Sequence, residues 1–305
     1  MRRALLIAAC LGLVGCGFGP GSPRGGSGAE LRVTRDFGHA SVTSAKVAKV
    51  RPSDTVMRLL QAHAKTTTRY GGGFVQSISG VAGSSIAGRH DWFYFVNGVE
   101  APTGAGDRAL SPGDVVQWDY RRWDAAPRVP AIVGAFPEPF LHGQKGKRYP
   151  TRVECAPSTK SCTAVEQALD RANVPAGTGS IGAEARGGVL RVEVGKWSDL
   201  RRLQDLDMVE KGPAASGIYA RFDANGTQLS LLDASGRTVR KAPPGSGLIA
   251  AMIPADQQPL WVVTGVDEAG VARAAGQLTA AKLRNAYAVV ALPSGPLRLP
   301  LEDGQ

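Results

Sequence analysis

The chain has 305 residues, 43% of them apolar and 20% charged, a balance that excludes a disordered or fibrous protein. Aromatic residues make up only 6%, whereas 39 glycines and 20 prolines predict a structure rich in turns. Lysine and arginine (36) exceed aspartate and glutamate (26) by 10; such an excess suits nucleic acid, anionic lipid headgroups or an anionic ligand.

Met1-Arg2-Arg3 is followed by an apolar run, Ala4 to Val14, too short to cross a hydrocarbon core that needs roughly 20 residues. A basic start, a short apolar stretch and small residues at its end form the pattern of a secretory signal. The end, Leu13-Val14-Gly15-Cys16, resembles a lipobox, the cleavage and acylation site of bacterial lipoproteins. The expectation is a signal peptide over residues 1–15 and a lipid on Cys16, with more than one acyl chain giving stable anchoring. Loss of Arg2 and Arg3 lowers the charge to +8. Residues 16–30, dominated by Gly, Pro and Ser, read as a flexible tether. Export places the chain on the extracytoplasmic side of the bacterial cell membrane and removes nucleic acid as a partner. The scattered cations then read as a basic surface close to anionic lipid.

Beyond the tether, Leu31–Phe37 and Val42–Val50 alternate as strands. Pro52-Ser53-Asp54 offers Ser53 or Asp54 as a helix N-cap, and Val56, Leu59, Leu60 and His63 fall at helical spacing over Thr55–Lys65. Tyr70-Gly71-Gly72-Gly73 breaks the helix before a strand at Phe74–Ile78. Trp92–Val96 is an aromatic strand ending in Asn97-Gly98, the pair favoured in a type I′ turn. Ser111-Pro112-Gly113-Asp114 turns into a last strand, Val115–Tyr120. Strand, strand, helix and then three strands is the order of a ubiquitin-like β-grasp.

Four segments carry a more specific likeness: Gly72–Ile78, Trp92–Gly98, Gly104-Ala105 and Pro112–Tyr120. Their order and spacing resemble the transcobalamin-like C-terminal β-grasp family. That resemblance covers residues 31–124 and implies a ligand-binding β-grasp, with cobalamin as one candidate ligand. The helical barrel that supplies most cobalamin contacts in transcobalamin has no counterpart here. Tyr70, Phe74, Trp92 and Tyr94 are the candidate ligand-binding residues. Alternation puts Phe93 and Phe95 on the face opposite Trp92, Tyr94 and Val96. One face must pack on the helix, and the other is expected to be open to a planar or amphipathic ligand.

Residues 125–149 read as a Pro-rich linker between domains, and 150–305 as a mixed α/β domain. Expected strands there are Thr151–Cys155, Val189–Val194, Ser216–Phe222, Gln228–Asp233, Leu248–Ile253, Leu260–Gly265 and Ala288–Leu292. Expected helices are Thr163–Ala172, Trp197–Glu210 with Ser198 as its cap, and one capped by Asp267 running through Leu283. Asn225-Gly226 should join two strands as a hairpin. Outside the cytoplasm, Cys155 and Cys162 are most simply a disulfide; a reduced pair or a metal pair are the alternatives.

Catalytic signals are absent from the sequence. Gly177-Thr-Gly-Ser-Ile-Gly182 matches a dinucleotide-loop pattern but lacks strand and helix flanks, and so reads as a flexible loop. At the strand-to-helix turn Thr264–Asp267, a capping Asp267 would oppose an anion. His39, His63, His90 and His142 show no metal-ligand spacing. No nucleophile elbow, zinc-protease helix or phosphate loop occurs. The fold class expected is α+β, and the function expected is non-enzymatic: an anchored small-molecule binder serving a transporter subunit, with no cofactor. The alternative is an envelope protein-interaction or structural module that offers a sheet edge to its partner.

Overall fold

The computed structural model describes residues 27–83, 88–182, 188–255 and 257–302. The signal peptide, Cys16 and nearly all of the tether therefore lie outside the described residues. The chain is α+β, with two principal sheets and two small ones.

The amino-terminal half contains β1 (Ala29–Arg35), β2 (Ala40–Val47), α1 (Val56–His63), β3 (Thr66–Arg69), β4 (Phe74–Ile78), β5 (Val81–Ala82), β6 (His90–Val96), β7 (Val99–Glu100) and β8 (Val115–Arg122). Its five-stranded sheet runs β2-β1-β8-β6-β7, with β1 parallel to β8 and the other pairs antiparallel. This is the β-grasp arrangement. Val56, Met57, Leu59 and Leu60 bury one stripe of α1 against Leu31, Val33, Trp92, Tyr94, Val96, Val116 and Trp118. Burial of each such large side chain stabilises the fold by roughly 1.5–3 kcal/mol. The cap of α1 is neither Ser53 nor Asp54 but Thr55, whose hydroxyl accepts the Arg58 N–H. Asp54 is engaged one turn earlier, accepting from the Arg51 N–H at 2.8 Å. Asn97 and Gly98 both have positive φ, 53° and 75°, as a type I′ turn requires.

The carboxy-terminal half contains β9 (Thr151–Cys155), α2 (Cys162–Arg171), β10 (Ala176–Ser180), β11 (Leu190–Lys196), α3 (Trp197–Leu200), α4 (Asp207–Glu210), α5 (Pro213–Ser216), β12 (Ala220–Phe222), β13 (Leu229–Leu232), β14 (Thr238–Lys241), β15 (Gly247–Met252), β16 (Leu260–Gly265), α6 (Glu268–Ala275), α7 (Ala280–Leu283), β17 (Ala288–Leu292) and β18 (Gly295–Leu299). The large sheet runs β10-β9-β11-β16-β15-β17-β18, its first four strands parallel and its last three antiparallel. The near-continuous apolar runs of β15, β16 and β17 follow from burial on both faces. A disulfide joins Cys155 at the end of β9 to Cys162 at the start of α2, with the Cα atoms 6.1 Å apart.

Several expectations are corrected here. The Gly177–Gly182 segment is no flexible loop: its residues up to Ser180 lie in the edge strand β10, parallel to β9. Residues 197–210 form two short helices separated by a 3₁₀ turn, and the α3 N-cap is Lys196 rather than Ser198. Most of the strand expected over Ser216–Phe222 is lost to α5 and the positive-φ Gly217, leaving only Ala220–Phe222. The helix capped by Asp267 ends at Gly276, and α7 restarts behind a new cap, Thr279.

The Pro-rich segment is buried rather than extended through solvent. Val129, Ala131, Ile132, Val133, Ala135, Phe136 and Phe140 are all at most 3% exposed. Phe136 and Phe140 pack on Trp261, with ring centroids 6.0 and 5.1 Å away. The second face of the β-grasp sheet is not open to ligand either. Phe95 is fully buried and meets Tyr287 edge-on at 5.5 Å, and Phe37 meets Tyr219 and Tyr287 at 4.9 and 5.1 Å. Arg121 lies 3.8 Å over the Phe93 ring. The buried Asp119 accepts from Thr34, the Gly38 N–H and the Tyr287 hydroxyl at 2.6–3.0 Å. Burial pushes the Asp119 carboxyl above its usual range, and these three donors with Arg121 oppose that rise. The face expected to bind ligand is thus the seam between the halves.

Candidate functional site

The strand β6 and the segment that follows β7 position the side chains of most interest. Alternation along β6 turns Trp92 and Tyr94 toward α1, where they are 8% exposed. Tyr94 stacks on Trp118 across the β6–β8 pair, at 4.9 Å and 29°, and its hydroxyl donates to the Thr103 carbonyl at 2.6 Å. Burial raises the Tyr94 pKa, so the hydroxyl stays a donor. Trp92 packs on Tyr120 at 5.3 Å.

Phe74, Trp92, Tyr94 and Trp118 line a hollow of about 180 Å³, closed by Met57, Gly104 and Ala105. The structure therefore brings together three of the four candidate ligand residues. Tyr70 is outside this hollow. It is 86% exposed on the 3₁₀ turn between β3 and β4, with its ring 6.3 Å from that of Phe74, itself 40% exposed. The indole N–H groups of Trp92 and Trp118 are buried and have no hydrogen-bond partner. A buried donor left unpaired costs about 1–3 kcal/mol, and each such group calls for an acceptor.

A second cleft, of about 360 Å³, lies beside the first, and the two share Glu100, Ala101 and Thr103. Its walls come from both halves. Val96, Val99 and Arg108 belong to the β-grasp, Arg128, Lys145, Lys147 and Tyr149 to the Pro-rich segment, and Ile253, Gln257 and Pro259 to the β15–β16 connection. Asn97 fixes one edge: it donates to the Asp114 carboxylate (2.9 Å) and the Gly143 carbonyl (2.7 Å) and accepts the Val115 N–H. It is fully buried, so the residue read as a turn former also ties residues 143–144 to the sheet. Burial raises the Asp114 pKa; the Ser111 N–H, Arg108 and Asn97 act against that rise. Glu100 is raised by burial too, opposed by the Val129 N–H and by Arg121 and Arg128.

Sequence reasoning missed Arg108, Trp118, Lys145 and Lys147 as members of one site. Trp118 carried a signal, because its place opposite Tyr94 follows from pairing the two aromatic strands; Arg108 carried none.

The histidines stay apart from these hollows. His63 is exposed, and His142 pairs with Glu138. His39 and His90 line a separate surface hollow of about 270 Å³, with Asp36, Asp233 and Glu302. Among the described residues no three His, Cys, Asp or Glu side chains converge as a metal site. Asp267 caps α6 through the Gly270 N–H and also accepts from the Gly245 N–H, at 2.8 and 2.7 Å. The carboxylate expected to oppose an anion at that turn is therefore in place.

A carboxylate pair that sequence could not assemble lies on the large sheet. Glu154 of β9 and Glu193 of β11 are register neighbours, both fully buried. Burial, and then the charge of Glu154, push the Glu193 carboxyl up to about 8. None of the three hollows described above is lined by this pair.

No helix among the described residues is long and apolar enough to cross a membrane. A search of curated proteins returns no match to the chain. Residues 53–122, from just before α1 to the last residue of β8, match the model of a family described as a domain of unknown function, DUF4430.

Proposed function

We propose that this protein is a membrane-anchored, extracytoplasmic lipoprotein that binds a small molecule in the aromatic hollow and its adjoining cleft, and passes it to a transporter. The observation that carries the binding reading is the hollow itself, in which Phe74, Trp92, Tyr94 and Trp118 come together as an aromatic lining. A planar or amphipathic ligand that stacks on these rings would fill it. The anchoring reading rests on Arg2-Arg3, the apolar run and Leu13-Val14-Gly15-Cys16. The family match to residues 53–122 is consistent with a transcobalamin-like domain, which keeps a cobalamin-like molecule among the ligands to test.

Equilibrium titration of the purified protein with corrinoids tests that version, and absence of binding at high micromolar concentration sinks it. Metabolic labelling with radioactive palmitate tests the anchor: label should be incorporated by wild type and lost in Cys16→Ser. A second reading, an envelope interaction module, is favoured by β2, an uncovered edge of the five-stranded sheet. Cross-linking in cells separates the two, since a transporter subunit supports the first reading and an envelope scaffold protein the second.

A further inference from the structure

The unpaired donors of the site include one that carries charge. Arg108 is 8% exposed and lines the cleft; its Nη1 donates to the Ala109 carbonyl at 2.7 Å, while its Nη2 has no partner. Among the described residues no carboxylate lies within ion-pair distance of it. The nearby Asp114 has its oxygens taken by the Ser111 N–H at 2.8 Å and Asn97 at 2.9 Å. Glu100, the acidic side chain on the cleft wall, is held by the Val129 N–H at 2.6 Å and faces Arg121 at 3.8 Å. Asp114 feels the Arg108 charge but forms no ion pair with it, so the buried guanidinium is only partly compensated, and a buried charge short of a close partner is penalised. Three further cations, Arg128, Lys145 and Lys147, stand exposed on the rim of the same cleft. Four cations around one engaged carboxylate give the cleft a net positive charge, which concentrates anions.

We infer that this cleft is an anion site: it takes the carboxylate or phosphate of a ligand whose apolar part lies against Phe74, Trp92 and Tyr94, with Arg108 as the buried charge partner. The planar fork of a guanidinium matches either oxyanion through two parallel hydrogen bonds. A neutral ligand of the same shape would leave Arg108 as it is, buried with no close charge partner, so charge becomes the basis of selection. The inference deepens the proposed binding function and rests on it.

Three naphthalene probes test it by calorimetric titration: 1-naphthyl phosphate, 1-naphthoate and the neutral 1-naphthylmethanol. The protein is the full chain in nanodiscs of neutral lipid, with empty nanodiscs as the blank. Both anions, or one of them, should bind about tenfold or more tightly than the neutral probe. Whichever anion is preferred identifies phosphate or carboxylate as the group recognised. Arg108→Gln should erase the preference while leaving the neutral probe unchanged. Because a buried substitution can impair folding, the exposed pair Lys145→Gln/Lys147→Gln serves as a second variant; it should weaken the anions alone. Equal binding of all three probes, or a preference untouched by either variant, overturns the anion site and leaves the binding function standing. Silence from all three probes overturns the anion site as well, and silence from the corrinoids besides sinks the binding function with it.

Discussion

Glu193 offers the sharpest quantitative prediction about stability. Its carboxyl neighbours that of Glu154 across the β9–β11 register, and both side chains are fully buried. Arg191 approaches Glu193 at 3.4 Å but is also bound by Asp205 at 2.5 Å and by Gln257 at 2.7 Å; Arg152 reaches Glu154 at 3.4 Å. Two Glu oxygens on one residue and one on the other lack hydrogen-bond partners, so the cations do not neutralise the pair. Folded protein therefore holds a proton on Glu193 up to about 8, whereas the unfolded chain releases it near 4.5. The sign follows: this contribution is fully present below about 4.5, declines as pH rises and is lost above about 8. Each tenfold in proton affinity is worth about 1.4 kcal/mol, which sets a ceiling of roughly 5 kcal/mol on the loss. Glu193→Gln keeps the volume and removes the ionisation. It should be more stable than wild type by on the order of 2–3 kcal/mol near pH 9 and nearly equal to it near pH 5. Urea unfolding followed by tryptophan fluorescence at a series of pH values measures this. Parallel stability curves for the two proteins across that range would refute the reasoning.

Other consequences are checked by the same unfolding measurement. Phe95→Ala removes a fully buried ring from the seam between the halves and should cost about 3–5 kcal/mol. Thr55→Ala should cost about 1 kcal/mol by removing the cap of α1, whereas Ser53→Ala, two residues before the cap, should change stability by less than about 0.5 kcal/mol. Replacing Cys155 and Cys162 by serine opens a short loop, so the loss should fall at the lower end of the usual range, about 2 kcal/mol.

The amino-terminal half was readable because its signals are local. Val56, Leu59 and Leu60 gave a helix stripe, Asn97-Gly98 a hairpin, and the alternation of Trp92–Val96 placed each aromatic on its correct face. Alternation is silent about which face meets the helix and what covers the other: Trp92 and Tyr94, the expected ligand residues, take the helix face, and Phe93 and Phe95 belong to the seam. The Pro-rich segment misled for a related reason. Proline brings no backbone N–H that needs a partner, so prolines suit a buried path as well as an exposed linker. Here Val133 donates to Tyr287 and Ile132 to Gly98, and those bonds are made by residues far apart in the chain. Glu154 and Glu193 had a faint signal, as charged residues interrupting apolar strands at alternate positions. Nothing local announced that the two would be neighbours. Arg108 had no signal at all, because an arginine after an aspartate in a Gly-rich stretch reads as a solvated surface residue.

The seam also bears on how a ligand could be selected. Asp119, Tyr287, Thr34 and the Gly38 N–H form a buried hydrogen-bonded group across it, and Arg284 reaches Glu30 at 2.8 Å at its edge. The Tyr287–Asp119 bond crosses the seam inside this group, and with the Arg284–Glu30 pair it ties the two halves together. The cleft beside Arg108 takes its walls from both halves and from the buried Pro-rich segment, and hence inherits that fixed arrangement. A site assembled in advance spends little ordering free energy on binding. It also cannot collapse around Arg108 to supply a protein carboxylate in place of a missing anion. If the proposed anion site holds, rigidity at the seam and the incompletely paired Arg108 act together, because a fixed cleft leaves a bound anion as the close charge partner.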